Sequence, residues 1–330
     1  MLIKIERGWQ LPERIATPEA LFRNRRQFLK GMGAIGGALV ADSLVLNSAL
    51  ATHDEGTNND PSAELYPVWE NKTFTLDREL TPEKFATHYN NYYEFGSQKE
   101  ISKLAQELPI RPWTITLDGL VEKEAILDID DLLAMMPLEE RVYRHRCVEA
   151  WSIAVPYSGF PLQALVNLAR PLGSAKYLVM QSFEKPEIAR GQKQFWYPWP
   201  YTEGLTIEEA TNELAFMATG YYGKPIPKQN GAPLRLAVPW KYGFKHAKGI
   251  VRFTFSEKRP RSFWENIQGS EYGFWANVNP DVPHPRWSQA TEKFYGPNGV
   301  MRMPTQLFNG YGEYVATLYS DFAKREPLYM

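Results

Sequence analysis

The sequence of 330 residues contains a single cysteine, Cys147, and five histidines that are scattered along the chain. One cysteine cannot form a disulfide within the chain. Neither Cys-x-x-Cys nor His-Glu-x-x-His occurs, and these are spacings by which proteins hold zinc or iron–sulfur clusters. The scarcity of ligand side chains therefore argues against a metal held by protein groups alone.

The chain also lacks an excess of charge of either sign, with 37 basic and 38 acidic side chains and a net charge of −1. Nucleic acid is therefore not an expected partner, and any anionic ligand must be met by a local cluster of cations. The apolar content of 44 % supports one substantial core, with or without a small second lobe. Because stretches of helical periodicity are few, strands and structured loops are expected.

The N-terminal region lacks an apolar run long enough to cross a bilayer, since Asp42 and several glycines interrupt it. The motif NRRQFLK at 24–30 precedes weakly apolar stretches at 31–41 and 44–51. This layout predicts a twin-arginine export signal over 1–51, with an uncleaved anchor as the alternative. We therefore expect periplasmic location, a mature chain over 52–330 with a flexible lead over 52–75, and a cofactor inserted before export.

The segment that ends at the cysteine, ERVYRHRC at 140–147, predicts a β-strand. Alternation places Tyr143, His145 and Cys147 on one face and Arg144 and Arg146 on the other. Nearby arginines lower the cost of a thiolate, which is the form that binds soft metals. A buried thiol that acts as a small apolar side chain, beside a surface run of charge, is the alternative.

The stretch 230–249 combines glycines and aromatic residues with Arg235, Lys241, Lys245 and Lys248. Glycine allows a close backbone approach and cations neutralise a phosphate, so this stretch is a candidate phosphate-binding segment. A solvated hairpin is the alternative. The aromatic cluster FWYPWPY at 195–201 predicts core packing or the wall of a substrate funnel.

Local patterns predict several further elements. Thr81 and Pro82 indicate the start of a helix, and residues 128–136 and 161–169 are also helical in pattern. Residues 113–119, 177–183 and 250–255 are typical of strands, whereas 205–217 mixes helical and strand signals.

Several long motifs, in the same order, resemble one known family. They are NNYYEFG at 90–96, RCVEAW at 146–151, QNGAP at 229–233, WKYGFK at 240–245, EYGFWANVNP at 271–280 and HPRWSQATE at 284–292. The chain resembles the catalytic subunits of periplasmic protein-methionine-sulfoxide reductases, which have the sulfite-oxidase fold. The resemblance implies a mixed, strand-rich α+β domain that binds molybdenum-molybdopterin, with Cys147 as the sole protein ligand of the metal.

The resemblance also implies roles for further residues. Glu149 and Asn91 would orient the substrate or handle protons, although an ion pair between Glu149 and a neighbouring arginine is an alternative role for that carboxylate. Ser182 stands where the family has threonine, and His246 stands where it has glycine. The implied cofactor contacts are Asn90, Tyr93, Glu94, Cys147, Ser182, Asn230, Arg235, His246, Ala247 and Lys248.

The activity that the resemblance implies is reduction of free and protein-bound methionine sulfoxide. A haem-containing membrane subunit would supply electrons to a monomeric catalytic subunit, and oxidised envelope proteins would be the substrates. The sequence leaves two alternatives open, a sulfite dehydrogenase and an exported binding protein without a cofactor.

Overall fold

The computed structural model describes residues 60–320 and Tyr329. The predicted export signal and the first part of the predicted flexible lead lie outside these residues. Within them, no helix is long and apolar enough to span a membrane.

The described part of the predicted lead, 60–75, packs against the rest of the chain. It contains a 3-10 helix over Pro61–Leu65, and the Asn71 amide donates to the carbonyl oxygen of Glu140 over 2.8 Å. Phe74 is buried edge-on against Tyr143, with ring centroids 6.0 Å apart. These contacts fix residues 71 and 74 on the rest of the chain, and the flexible lead over 52–75 stays a prediction.

Helices are short in the described chain and strands dominate it. The helices are α1 (Glu83–His88), α2 (Ser102–Ala105), α3 (Ile129–Met135), α4 (Leu162–Ala169), α5 (Ile207–Ala210), α6 (Phe263–Gln268) and α7 (Gly312–Val315). The strands are β1 (Thr114–Gly119), β2 (Ala125–Asp128), β3 (Glu139–Cys147), β4 (Trp151–Pro161), β5 (Tyr177–Ser182), β6 (Thr202–Thr206), β7 (Phe216–Tyr221), β8 (Lys224–Pro225), β9 (Arg235–Ala237), β10 (Ile250–Ser256), β11 (Thr291–Gly296) and β12 (Gly299–Pro304).

The strands form two mixed sheets. One has the order β2-β1-β10-β5-β6, in which only β1 and β10 run parallel. The other has the order β12-β11-β4-β7-β8, with β3 added to β4 and β9 added to β7. The architecture confirms the predicted strand-rich, mixed α+β fold.

Most of the predicted elements are present at the expected places. Asp128 caps α3 by accepting from the amide of Asp130, as the pattern of 128–136 predicts. The ambiguous stretch 205–217 contains the end of β6, the short helix α5 and the start of β7. Its mixed signal arises because Thr206 and Glu209 form a capping box directly after a strand.

The hairpin of β3 and β4 carries the cysteine to the edge of a large cavity. The two strands pair from Glu139 with Gly159 to Cys147 with Trp151. Three turn residues join them, and Ala150 takes a positive φ of 61° to close the turn. The fully paired ladder fixes which side chains of the hairpin point toward the cavity.

Candidate functional site

A cavity of about 460 Å³ opens beside the β3–β4 turn. Residues far apart in sequence line it, including Tyr89, Asn90, Asn91, Tyr93, Glu94, His145, Cys147, Glu149, Trp151, Asn230, Arg235, His246, Lys248, Trp264, Tyr272, Arg286 and Trp287. Eight of the ten predicted cofactor contacts and all three predicted catalytic residues, Cys147, Glu149 and Asn91, are thereby brought together. Ser182 and Ala247 lie behind the wall and do not line the cavity.

Cys147 lies at the last position of β3, 5 % exposed, with its thiol on the cavity wall. Its Sγ accepts weakly from the Glu149 amide at 3.5 Å and from Asn91 Nδ2 at 3.6 Å. Burial, and secondly the nearby Glu149 carboxylate, raise the pKa of the thiol to about 12. Without a cation the sulfur therefore stays protonated, and only a bound metal would ionise it at neutral pH.

The neighbouring arginines favour the thiolate only weakly. Arg146 lies on the opposite face of β3, where its Nε donates to Glu292 Oε2 over 2.8 Å. Arg144 donates to Asp77 Oδ1 over 2.9 Å, and Arg141 pairs with Glu139. Each arginine is paired with its own carboxylate, and although Arg146 lowers the pKa of the Cys147 thiol, burial outweighs its effect.

Glu149 is held by three donors at the mouth of the cavity. Its Oε2 accepts from Trp151 Nε1 at 2.9 Å, from Asn91 Nδ2 at 3.3 Å and from Lys99 Nζ at 2.5 Å. Lys99 also donates to Asn91 Oδ1. The hydrogen bonds to Lys99 and Trp151 outweigh burial and lower the pKa of Glu149. The predicted ion pair is therefore present, but its cation is a lysine from another loop and not a neighbouring arginine.

Two asparagines face the far side of the cavity with parallel roles. Asn90 Nδ2 and Asn230 Nδ2 both donate to the carbonyl oxygen of Ala86, at 3.5 and 2.9 Å. The Oδ1 atoms of both amides are buried and have no partner among residues 60–320. These two amide oxygens of cavity-lining residues are therefore acceptors that still lack a donor in the described chain.

Cations line the same region. Arg235 donates through Nη1 to the carbonyl oxygen of Asn230 at 2.8 Å, while its Nε and Nη2 have no partner in the described chain. Lys248 lies 5.6 Å over the ring of Tyr92. Burial lowers the pKa of Lys248 and raises that of Glu94, which Ser182 contacts from behind.

The other two lysines predicted to meet a phosphate do not reach the cavity. Lys241 Nζ pairs with Glu209 Oε1 at 2.5 Å, and Lys245 Nζ pairs with Glu203 Oε2 at 2.6 Å. All four side chains are buried. The solvated hairpin considered for 230–249 is also ruled out, because nearly every residue of that stretch is buried.

His145 and His246 stand edge to face in the cavity wall, with ring centroids 4.7 Å apart. Burial lowers the pKa of both rings, and the neighbouring cation Arg235 adds to the shift. His246 Nε2 lies 3.1 Å from the carbonyl oxygen of Val238. Because a carbonyl only accepts, this contact places the proton of the neutral ring on Nε2 and leaves Nδ1 as an acceptor.

The aromatic cluster at 195–201 serves two purposes. Trp199 and Tyr201 pack on Phe263, with ring centroids at 4.8 and 4.5 Å, and Tyr201 lines the cavity. Phe195 and Trp196 are 90 % and 62 % exposed. The predicted core role thus holds for the second half of the cluster only.

Comparison with known proteins agrees with a cofactor site. Residues 103–264 match the model of a family described as the oxidoreductase molybdopterin binding domain. This match makes up just under half of the chain, which is similar to that domain over these residues. The cofactor prediction, molybdenum-molybdopterin, is thereby confirmed, and the match supports an oxidoreductase.

A solved structure similar to this chain is the sulfane dehydrogenase SoxCD from Paracoccus pantotrophus, with 18 % identity and a TM-score of 0.45. The match covers 67 % of this chain and 58 % of that one. The match with this chain therefore spans less than two thirds of the length of that protein.

The cavity fits such a cofactor. Its wall presents buried polar atoms that have no partner within the described part of the chain, namely Asn90 Oδ1, Asn230 Oδ1, Arg235 Nε and Nη2, and Nδ1 of His145 and His246. Acceptors and guanidinium donors together suit a heterocycle that bears a phosphate. No group of three or more His, Cys, Asp and Glu side chains in the described residues could hold a metal ion. A metal at Cys147 must therefore take its other ligands from the cofactor itself.

Sequence reasoning missed Lys99, which contacts two of the predicted catalytic residues, Asn91 and Glu149. The lysine lies fifty residues before Glu149 in a loop without metal or phosphate signals. The one sequence signal for a role of Lys99 in the site is its position three residues after the NNYYEFG motif. Trp264 and Tyr272 were missed in the same way, because a ring on a short helix or loop is typical of core packing.

Proposed function

We propose that the protein reduces methionine sulfoxide to methionine in the periplasm. The net reaction breaks the sulfur–oxygen bond and consumes two electrons and two protons, giving a thioether and water. The observation that carries the proposal is the wall around Cys147, which includes several aromatic rings and the Glu149 carboxylate that is paired with Lys99.

Aromatic rings are suited to a thioether or sulfoxide side chain. Tyr93, Trp264 and Tyr272 form a continuous face, with ring centroids 4.8 and 5.0 Å apart, and Trp151 stands on the other side of Cys147. Sulfur makes favourable contacts with ring edges and faces. A methionine side chain is apolar along its length and polar at its oxidised sulfur, which matches rings that surround a small polar cluster.

The pairing of charged side chains at the mouth of the cavity also favours a sulfoxide as the substrate. Lys99 is paired with Glu149, and Arg286 Nη2 pairs with Glu271 Oε2 at 2.8 Å. A sulfite dianion would require cations that are not neutralised by carboxylates, and it would meet the Glu149 carboxylate first. We therefore favour a neutral sulfoxide over sulfite as the substrate.

When bound, the molybdenum-molybdopterin supplies oxygen-atom transfer and two-electron chemistry. Cys147 would ligate the metal, and the unpaired atoms of Asn90, Asn230 and Arg235 would hold the organic part together with Tyr93, Glu94, His246 and Lys248. Ser182 and Ala247 would support this wall from behind. The rings at the mouth exclude water around the reacting sulfoxide.

Asn91 and Glu149 would orient the substrate. Lys99 Nζ donates to both Asn91 Oδ1 and Glu149 Oε2, and these hydrogen bonds fix both side chains. Asn91, Lys99, Trp151 and the Cys147 thiol all donate to Oε2, and Glu149 Oε1, which accepts from none of them, would be available to the substrate. The protein thus supplies a fixed polar group beside the metal ligand.

The cellular setting belongs to the same proposal. The twin-arginine motif at 24–30 would direct the folded chain to the periplasm, where a haem-containing membrane subunit would donate electrons to a monomeric catalytic subunit. Oxidised envelope proteins would be the substrates, and nucleic acid has no role.

The decisive experiment is to purify the exported protein, quantify its molybdenum, and assay methionine-sulfoxide reduction and sulfite oxidation side by side with artificial donors and acceptors. We expect about one molybdenum per chain and sulfoxide reduction only. Sulfite turnover without sulfoxide reduction would favour the sulfite dehydrogenase. A colourless protein without molybdenum would favour the binding protein.

A further inference from the structure

Phe195 and Trp196 are unusually exposed for large rings, at 90 % and 62 %. They stand next to one another, with centroids 5.2 Å apart, on the loop after the 3-10 helix Arg190–Lys193. Isolated exposed apolar residues are common, but adjacent exposed aromatic rings mark interaction surfaces. The pair therefore requires an explanation that core packing does not provide.

The loop is firmly attached to the molecule, so this exposure is not fraying. The amides of Gln194 and Tyr197 donate to the carbonyl oxygens of Gly191 and Gln194, both over 3.1 Å. A Cβ at Gly191 would lie only 2.0 Å from the carbonyl oxygen of Tyr93, which shows how closely the loop is seated on the cavity wall.

The exposed rings are continuous with the cavity. The ring centroids of Trp196 and Tyr197 are 6.1 Å apart, and those of Tyr197 and Tyr93 are 6.3 Å apart. Tyr93 in turn lines the cavity beside Trp264. A cavity that also holds the cofactor leaves room for one substrate side chain, not for a polypeptide. The residues that flank an oxidised methionine must then lie on the rim, where this aromatic surface begins.

The charge near the pair favours a polypeptide over a membrane. Segment 184–196 carries three basic and two acidic side chains. Recognition of anionic lipid usually requires four or more clustered cations. An aromatic surface without a basic cluster fits apolar side chains of an extended peptide.

We propose that Phe195 and Trp196 form a docking surface for the apolar residues that flank an oxidised methionine in an extended polypeptide. This inference rests on the proposed function and adds a specificity element to it. Removing both rings should weaken peptide binding without changing the chemistry at the metal.

The test compares the loaded wild-type enzyme with the variants Trp196→Ala and Phe195→Ala/Trp196→Ala. The substrates are free methionine sulfoxide, a peptide with one methionine sulfoxide flanked by leucines, and the same peptide with serines. We expect the double variant to raise KM for the leucine peptide about tenfold, as removal of aromatic anchors does, with kcat unchanged. For free methionine sulfoxide and the serine peptide, KM should change less than about twofold.

Trp69→Ala is the matched control, because Trp69 is also 62 % exposed and does not line the cavity. It should leave all three substrates unaffected. Equal losses with free methionine sulfoxide would overturn the inference, as would unchanged peptide kinetics together with lost binding to phosphatidylglycerol vesicles. If the wild-type enzyme fails to reduce free methionine sulfoxide, the proposed function itself fails, which is a separate result.

Discussion

Two groups of buried cations lie on the segment from β9 to β10, and they differ in their partners. Lys241 contacts Glu209, the carbonyl oxygen of Trp275 and Asn277, and Lys245 contacts Glu203 and the carbonyl oxygen of Gly204. Arg235 has one hydrogen bond and two nitrogens without a partner in the described chain. Protein groups supply the hydrogen-bond and charge partners of the two lysines, whereas Arg235 requires a ligand to supply its remaining partners. Both groups consist of buried basic side chains, so the partners and not the positive charge distinguish the two groups.

The largest effect should follow from removing the metal ligand at the unsatisfied site. We expect Cys147→Ser to lose nearly all molybdenum and to lower activity at least about a thousandfold. The melting temperature of the cofactor-free protein should hardly change, because the polar contacts of Sγ are long, at 3.5, 3.6 and 3.7 Å. Metal analysis and a thermal scan check both points, and retention of molybdenum would contradict the assignment.

Lys241 belongs to the group whose partners are all protein groups, so Lys241→Met should destabilise the protein even without cofactor. It leaves Glu209 buried without its cation, a change that costs about 3–5 kcal/mol and lowers the melting temperature by roughly 10 °C. Arg235→Met is the matched comparison at the unsatisfied site. It should leave the cofactor-free melting temperature unchanged or higher, yet reduce the cofactor content. Equal destabilisation by both variants would remove the distinction between the two groups.

Lys99→Met tests the polar cluster at the mouth, where the protein supplies some but not all partners. Asn91 and Glu149 would lose the ammonium group that holds them, and we expect kcat to fall about tenfold. Molybdenum content should stay the same, since Lys99 does not belong to the cofactor contacts. Lys99→Arg should recover part of kcat, and a fall in molybdenum content would instead indicate a structural defect.

The smallest effect concerns pH and the cofactor-free protein. Burial raises the pKa of Glu94 to about 7, so its contribution to stability falls as pH rises from about 4.5 to 7. Burial lowers the pKa of Lys248 to about 7, so stability recovers as pH rises from about 7 toward 10.5. Chemical denaturation should therefore show a shallow minimum near neutrality. Glu94→Gln combined with Lys248→Met should abolish the minimum, and its persistence would assign it to other groups.

Local patterns were sufficient to predict much of the fold. The strand that ends at Cys147, the helix after Asp128 and the strand that begins at Ile250 are all present, because alternation and capping act over a few residues. Family motifs also located most of the cavity wall.

Contacts between residues far apart in sequence explain why the roles predicted for several charged side chains were not found. The arginines beside Cys147 suggested an electropositive sulfur, but their carboxylates come from β11 and from the chain before α1. Lys241 and Lys245 suggested a phosphate site, but Glu209 and Glu203 reach them from α5 and β6. A sequence shows which side chains carry charge, and only the fold shows which charges are already paired.

The β3–β4 turn places the proposed metal ligand, the carboxylate and one ring on alternate residues of a five-residue span, Cys147, Glu149 and Trp151. Their mutual spacing is therefore a local property of one hairpin. The opposite wall comes from separate loops. An engineer could exchange those loops to admit bulkier oxidised compounds while leaving the metal geometry intact.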